Sequence, residues 1–356
     1  MNRDRLGRRA ALGLVAGAGI ARSAWNMSAP GAWNMVAPRA WAAEPLRLGL
    51  LHTLSPAPFY IAREHGYFDD AGIDLTFIFF QAAQPIAAAA VAGDIDVGVT
   101  ALTGGFFNLA ATGALKVIAG GLHEQRGYEG SAIVASNQAF EAGLTSADKL
   151  AGHSFAITQY GSSFHYMLGR IAEAKGINLA RVTLRPVQQI SNMLAAVQSN
   201  RVDATIAIAS MAKPLAAAGQ AHIIGWVGDI VPYQITAIFT TKQMIAHDAD
   251  KLRRFAGAYR KGVDDYRAAF LRLDAQGRPI VDAATDAAIP LITKYVFTGD
   301  PAARAKILDG VGYYDAGGAL DVADVDAQYA WFAAQGLVKP GIDPASLIDT
   351  HFMPTR

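Results

Sequence analysis

From residue 46 onward, short runs of branched and aromatic residues alternate with Ala-rich stretches of helical period. The pattern predicts strands at 46–51 and 73–80 and helices at 58–66 and 85–92. Ile95, Val97 and Val99 alternate as a buried strand, 106–114 is helical, and 116–119 is a further strand. The alternation then starts again, with strands at 154–157, 182–187, 204–208 and 222–227 and helices at 162–175, 191–198 and 211–218. The two halves share a phrase: Ala89-Ala90-Val91 leads to Ile95-Asp96, and Ala195-Ala196-Val197 leads to Val202-Asp203. Such order argues for two similar doubly wound α/β lobes with mainly parallel sheets. After residue 235 one strand, 235–241, is followed by helices near 249–272, 281–296, 301–311 and 322–335. A helical tail with one strand makes no third lobe. The strand is therefore expected to return to the first sheet, the tail to pack around it, and two hinge crossings to fall near 137–145 and 230–236. Lobe I would comprise 44–140 plus 236–356, and lobe II 141–235.

Composition narrows the function. Hydrophobic residues are 52% and charged residues 17% of the 356, so the chain has ample core and is not disordered. Six Arg and one acid fall in the first 43 residues, which leaves 25 bases against 29 acids in the rest. A mildly acidic body without a basic patch speaks against nucleic acid. Cys is absent, which removes disulfides, thiolate metal sites and a Cys nucleophile. The eight His have no ligand-like spacing, so no metal or other cofactor is expected.

The first 43 residues read as a signal peptide. Arg8-Arg9 precede an apolar run of about a dozen residues, too short for a permanent membrane span, and Ala40-Trp41-Ala42-Ala43 offers small residues for cleavage. The Arg pair resembles a twin-arginine signal, with general secretory export as the alternative. The phrase AWNMSAP at 24–30 recurs as AWNMVAP at 32–38. The mature chain should begin near Ala43 or Glu44 and work in the periplasm.

Three phrases, in order, carry a resemblance. PAPFYIAREHGYFDDAGIDLTFIFF, followed by AAAAVAGDIDVGVTA, resembles the opening of ABC-transporter substrate-binding proteins of the nitrate/taurine/aliphatic-sulfonate class. LAGHSFAITQYGSSFHYMLGRIAEAKGI is similar to the start of their second lobe, and Gln335-Gly336-Leu337-Val338 with Ile342-Asp343 to their tail. The resemblance implies the type II periplasmic-binding-protein fold, a small-molecule ligand held between lobes, and a monomer that delivers it to an ABC permease in the membrane. A thiamine-pyrimidine-synthase branch of the same superfamily carries a Cys-rich signature that is absent here.

In open α/β sheets ligands gather beyond the carboxyl ends of strands, beside helix N-termini. The candidates are His52, Thr53, Gln81, Thr100 and Ala101 in the first lobe. In the second they are Tyr160, Gly161, Ser162, Ser163, Gln188, Ser210 and Tyr233. At Gly161-Ser162-Ser163 the Gly permits close backbone approach and the next helix offers its positive end to an anion, although a Ser there also serves as a plain N-cap. Phe59, Phe164, Tyr160 and Tyr233 are candidates for stacking, with core packing as the alternative. The stretch 207–214 has no acid to meet an ammonium group, with Asp229 the nearest substitute. These features point to a small organic anion, a sulfonate or an aromatic carboxylate. A binder of a thiamine-precursor pyrimidine and an enzyme on the same fold remain open. No nucleophile elbow or phosphate-binding loop argues for catalysis.

Overall fold

Strands alternating with helices build two five-stranded mixed sheets, and a three-stranded ribbon joins them. The computed structural model describes residues 43–356. The expected signal peptide, its Arg pair and the duplicated AWNM phrase therefore lie outside the described residues. The first sheet takes β1 (Glu44–Leu51), β2 (Ile73–Phe80), β3 (Val97–Ala101) and β4 (Leu115–Gly120). Through β5 (Leu122–Glu124) the chain enters the second sheet, made of β6 (Ser131–Ala135), β7 (Ser154–Ile157), β8 (Thr183–Pro186), β9 (Ala204–Ile208) and β10 (His222–Trp226). It returns through β11 (Tyr233–Gln234) to β12 (Thr236–Thr241) in the first sheet, and β13 (Tyr313–Tyr314) completes the ribbon β11-β5-β13.

The sheets share one design. Their orders are β2-β1-β3-β12-β4 and β8-β7-β9-β6-β10. In each, the first three strands pair in parallel, while the fourth, delivered by the ribbon, runs antiparallel to both neighbours. Leu46, Leu48 and Leu50 of β1 alternate into the core, and β3 and β6 are buried along their whole length. The first crossing comes earlier than the sequence indicates. Ser131–Ala135 already belongs to the second sheet, so the chain passes between sheets over 121–130 rather than 137–145. A fully buried five-residue strand has no polar alternation to reveal it.

The shared phrase has a physical basis. Asp96 accepts the backbone N–H of Arg47 at 2.7 Å and its guanidinium at 2.8 Å. Asp203 accepts the backbone N–H of Ser154 at 2.7 Å and its hydroxyl at 2.9 Å. In both lobes an Asp just before the third strand thus ties down the first strand, 49 residues away. The tail departs from expectation in one respect. Helix Lys242–Phe270, bent at Asp248, covers the first lobe, where Tyr259 stacks on Phe59 at 4.3 Å. Helix Val322–Ala334, in contrast, packs against both lobes. Its Phe332 meets Phe107 at 5.8 Å between centroids, and its Trp331 lies so close over Gly169 of helix Ser163–Lys175 that no Cβ fits there.

Replacing Asp96 by Ala should lower stability by about 1.5–3 kcal/mol, the scale of hydrogen bonds to a charged group. Asp203→Ala should cost a similar amount. The two losses should add in urea unfolding, because the sites lie in different sheets. Arg47 outweighs burial and holds the Asp96 carboxyl below its ordinary range. Its contribution is therefore complete above the unfolded carboxyl value and is lost as pH falls through the folded one. The difference between D96A and the parent should accordingly shrink below about pH 4.

Candidate functional site

Strand ends from both sheets meet at a cavity of about 60 Å³. The first lobe contributes Thr53 and Ser55 after β1, Ala82 and Ala83 after β2, and Ala101 at the end of β3. The second contributes Thr158 after β7, Ser163, Phe164 and Met167, Ile190 after β8, and Ile208 at the end of β9. Leu122, Ser131, Ile235 and Thr236 form the side nearest the ribbon. Six hydroxyl side chains and no charged one line the cavity among the described residues. Four helices begin beside it: Ala57–Glu64, Gln84–Ala92, Ser163–Lys175 and Ile190–Gln198. The first, second and fourth have no side-chain cap, so no capping side chain meets the positive ends of their dipoles. Such a place favours an anion. A wider hollow of about 420 Å³, walled by Tyr128, Lys213, Phe270 and Leu308, lies against the helical tail, away from the strand ends.

The lobes touch across the cavity mouth. Gly104 donates its N–H to the Gly161 carbonyl at 2.9 Å, and the side chains of Gln159 and Gln84 hydrogen-bond. Gly161 has a φ of +74°, the left-handed region that favours Gly, and no side chain keeps it from Gly104. At the ribbon, buried Gln234 ties the crossings together. Its amide donates to the carbonyls of Gly121 and Thr236 at 3.0 Å, and its own carbonyl accepts from Gln328 at 2.8 Å. Its backbone N–H donates to Asp324, whose carboxyl burial pushes up to about 6. His123, Asp321 and Asp324 come close enough together to ligate a cation. The Arg356 guanidinium already fills that role, donating to Asp321 at 2.9 Å and to His123 Nε2 at 2.5 Å. Burial and Arg356 lower His123 to about 4, so it accepts this bond as a neutral ring.

Residues 54–269 match the family described as NMT1/THI5 like. The chain belongs to the NMT1/THI5-like family. Solved structures similar to it share its fold at low identity. The periplasmic aliphatic sulphonate binding protein SsuA from Escherichia coli is 18% identical with a TM-score of 0.65, over 86% of this chain and 92% of that one. The ligand-binding component of an ABC-type import system from Staphylococcus aureus, with zinc bound, is 12% identical with a TM-score of 0.66, over 87% and 97%. The desulfurization enzyme DSZB is 14% identical with a TM-score of 0.60, over 87% and 97%. No curated protein sequence matches. The expected periplasmic-binding-protein architecture is thus present, on a family fold that also occurs in an enzyme.

In this NMT1/THI5-like chain the candidates fall into four groups. Thr53, Ala101 and Ser163 line the cavity. Thr100, Ser210 and Tyr233 are buried outside its lining, and each has a hydroxyl without a partner. Ser162 caps its helix by accepting the His165 N–H, and Gly161 is engaged by Gly104. His52, Gln81, Tyr160 and Gln188 are exposed away from the cavity. His52 lies 2.5 Å from the Tyr295 carbonyl, and Gln188 takes a left-handed φ of +70°. Of the aromatic candidates, Phe164 reaches the lining, whereas Phe59 packs under the tail and Tyr160 is 55% exposed. Ser55, Thr158, Ser131 and Thr236 were not anticipated. Thr158 directly follows a strand and was legible on that rule, whereas Ser131 and Thr236 open the two ribbon-delivered strands and depend on the sheet topology.

Asp324 binds its proton more tightly folded than unfolded, so its contribution is full at low pH and is lost as pH rises from about 4 to 6. Asp324→Asn keeps the acceptor for Gln234 without the charge. Its melting temperature should match the parent near pH 4 and exceed it by a few degrees at pH 7, read by calorimetry across that range.

Proposed function

We propose that this chain is the extracytoplasmic solute-binding component of an ABC importer. It captures a small organic anion between two lobes and hands it unchanged to a membrane permease. The observation that carries this reading is the uncharged, hydroxyl-lined cavity at which four helix N-termini converge. Each helix end contributes about 0.3–1 kcal/mol toward an anion, and each hydrogen bond to its charge about 1.5–3 kcal/mol. A few such terms, less the cost of ordering, reach the roughly −8 kcal/mol of a micromolar complex.

A cavity of about 60 Å³ favours a compact sulfonate or carboxylate over an aromatic acid, and one ring, Phe164, lines it. The Gly104–Gly161 contact closes the mouth in this state. Entry therefore requires the lobes to part about β5 and β11, with lobe II taken as the part that begins at β6, and permease recognition follows from the difference between open and closed surfaces. The leader at 1–43 supports export, by the twin-arginine or the general route, and the cavity lining holds no acid, base or nucleophilic pair of an enzyme.

Methane- to butanesulfonate and acetate to butyrate, each at about a hundred times the dissociation constant, should raise the melting temperature by several degrees, near 2.7 kcal/mol of linkage. The ligand should be recovered unaltered by mass spectrometry. Stabilisation by neutral pyrimidines alone, or conversion of the ligand, would refute the proposal.

A further inference from the structure

The ribbon between the lobes has two faces, and one of them belongs to the cavity. Leu122 of β5 and Ile235 just beyond β11 line the cavity. Side chains alternate along a strand, so Glu124 and Tyr233, two residues away on the same strands, share that face. They pair directly across the β5–β11 ladder. His123 and Gln234 occupy the opposite face, toward Arg356, Asp321 and Asp324.

Glu124 is 1% exposed and Tyr233 2%. Cavity-lining Ser131 donates its N–H to Glu124 Oε2 at 3.2 Å, which places the carboxyl directly behind the lining. Glu124 Oε1 and the Tyr233 hydroxyl have no partner. Two adjacent polar groups, fully buried, unpartnered and on the side of the ribbon that carries the cavity lining, are suited to be completed by a ligand.

We infer that Glu124 and Tyr233 form a proton-donating floor directly behind the cavity lining, with Glu124 neutral and its carboxylic O–H donated to an oxyanion of the solute. This rests on the solute-binding reading above and adds its specificity determinant. The sign of the ligand charge follows from the surroundings. Four helix N-termini direct positive potential at the cavity, which repels an ammonium group and attracts an oxyanion. An ionised Glu124 would oppose that oxyanion, whereas a neutral one donates to it. Burial independently raises the carboxyl above its ordinary range. The titratable groups around the pair are Tyr166 of helix Ser163–Lys175 and Asp324 of helix Val322–Ala334, neither of them cationic. The one bound proton is balanced by solvent: the open form releases it from Glu124, and closure on the anion takes it back.

The test is calorimetric titration of the exported chain with ethanesulfonate and 2-aminoethanesulfonate at pH 6, 7 and 8, in buffers of different ionisation enthalpy. Ethanesulfonate affinity should rise as pH falls, by up to about tenfold per unit above the carboxyl's titration point, with net uptake of one proton. Glu124→Gln preserves a neutral donor and should bind within a few-fold of the parent at pH 6, with the pH dependence lost. Glu124→Ala and Tyr233→Phe should each bind about tenfold or more weakly at pH 6, with unchanged circular dichroism. Affinity independent of pH in the parent, or E124A binding as the parent does, overturns the floor while leaving solute binding intact. So does loss of binding in E124Q together with preference for the amino compound, which would mean an ionised Glu124 pairing an ammonium. Failure of both probes and of the acids named above to bind the folded parent overturns the solute-binding reading itself, and the floor with it.

Discussion

Each sheet is completed by a strand that arrives from the other one. β6 pairs with β9 and β10, and β12 pairs with β3 and β4, in both cases antiparallel to strands that otherwise run one way. Backbone donors and acceptors at the centre of a buried sheet must be paired, so neither sheet is complete without the chain crossing over. Two crossings side by side form a short antiparallel ribbon, and that ribbon is the covalent link on which the cavity is built.

Much follows from that constraint. Because the first three strands of each sheet are parallel and are followed by helices, their carboxyl ends and the helix N-termini lie on one edge, and the ribbon turns the two edges toward each other. The cavity between them is rich in donors without carrying charge. Asp96 and Asp203 perform the same task in both lobes, fastening the amino-terminal edge of each sheet, opposite the edge that carries the cavity.

The ribbon also separates two chemistries. On one face Gln234, Asp324, Asp321, His123 and Arg356 form a polar network that binds the tail to the crossing. On the other, Glu124 and Tyr233 lie buried with unmet hydrogen-bonding capacity. Helix Val322–Ala334, packed on both lobes near the ribbon, keeps the two sheets in register about it.

The local order of elements was legible in the residues. Strands 73–80, 154–157 and 204–208 match their observed bounds, because a half-buried strand or a bounded β-branched run declares itself through period and turn residues. The return of 235–241 to the first sheet was also readable, since one strand followed by helices has nowhere else to pair. Of the candidate positions after strands, Thr53, Ala101 and Ser163 line the cavity. Tertiary structure alone decided the rest. β5, β11 and β13 are two or three residues long and exist through their partners. β6 is too uniformly buried to show a period. Whether Gln188 or Tyr160 faces the solute, and whether Glu124 stands behind Ser131, depends on how two lobes meet. That meeting is fixed by long-range pairing, on which the spacing of neighbouring residues carries no information.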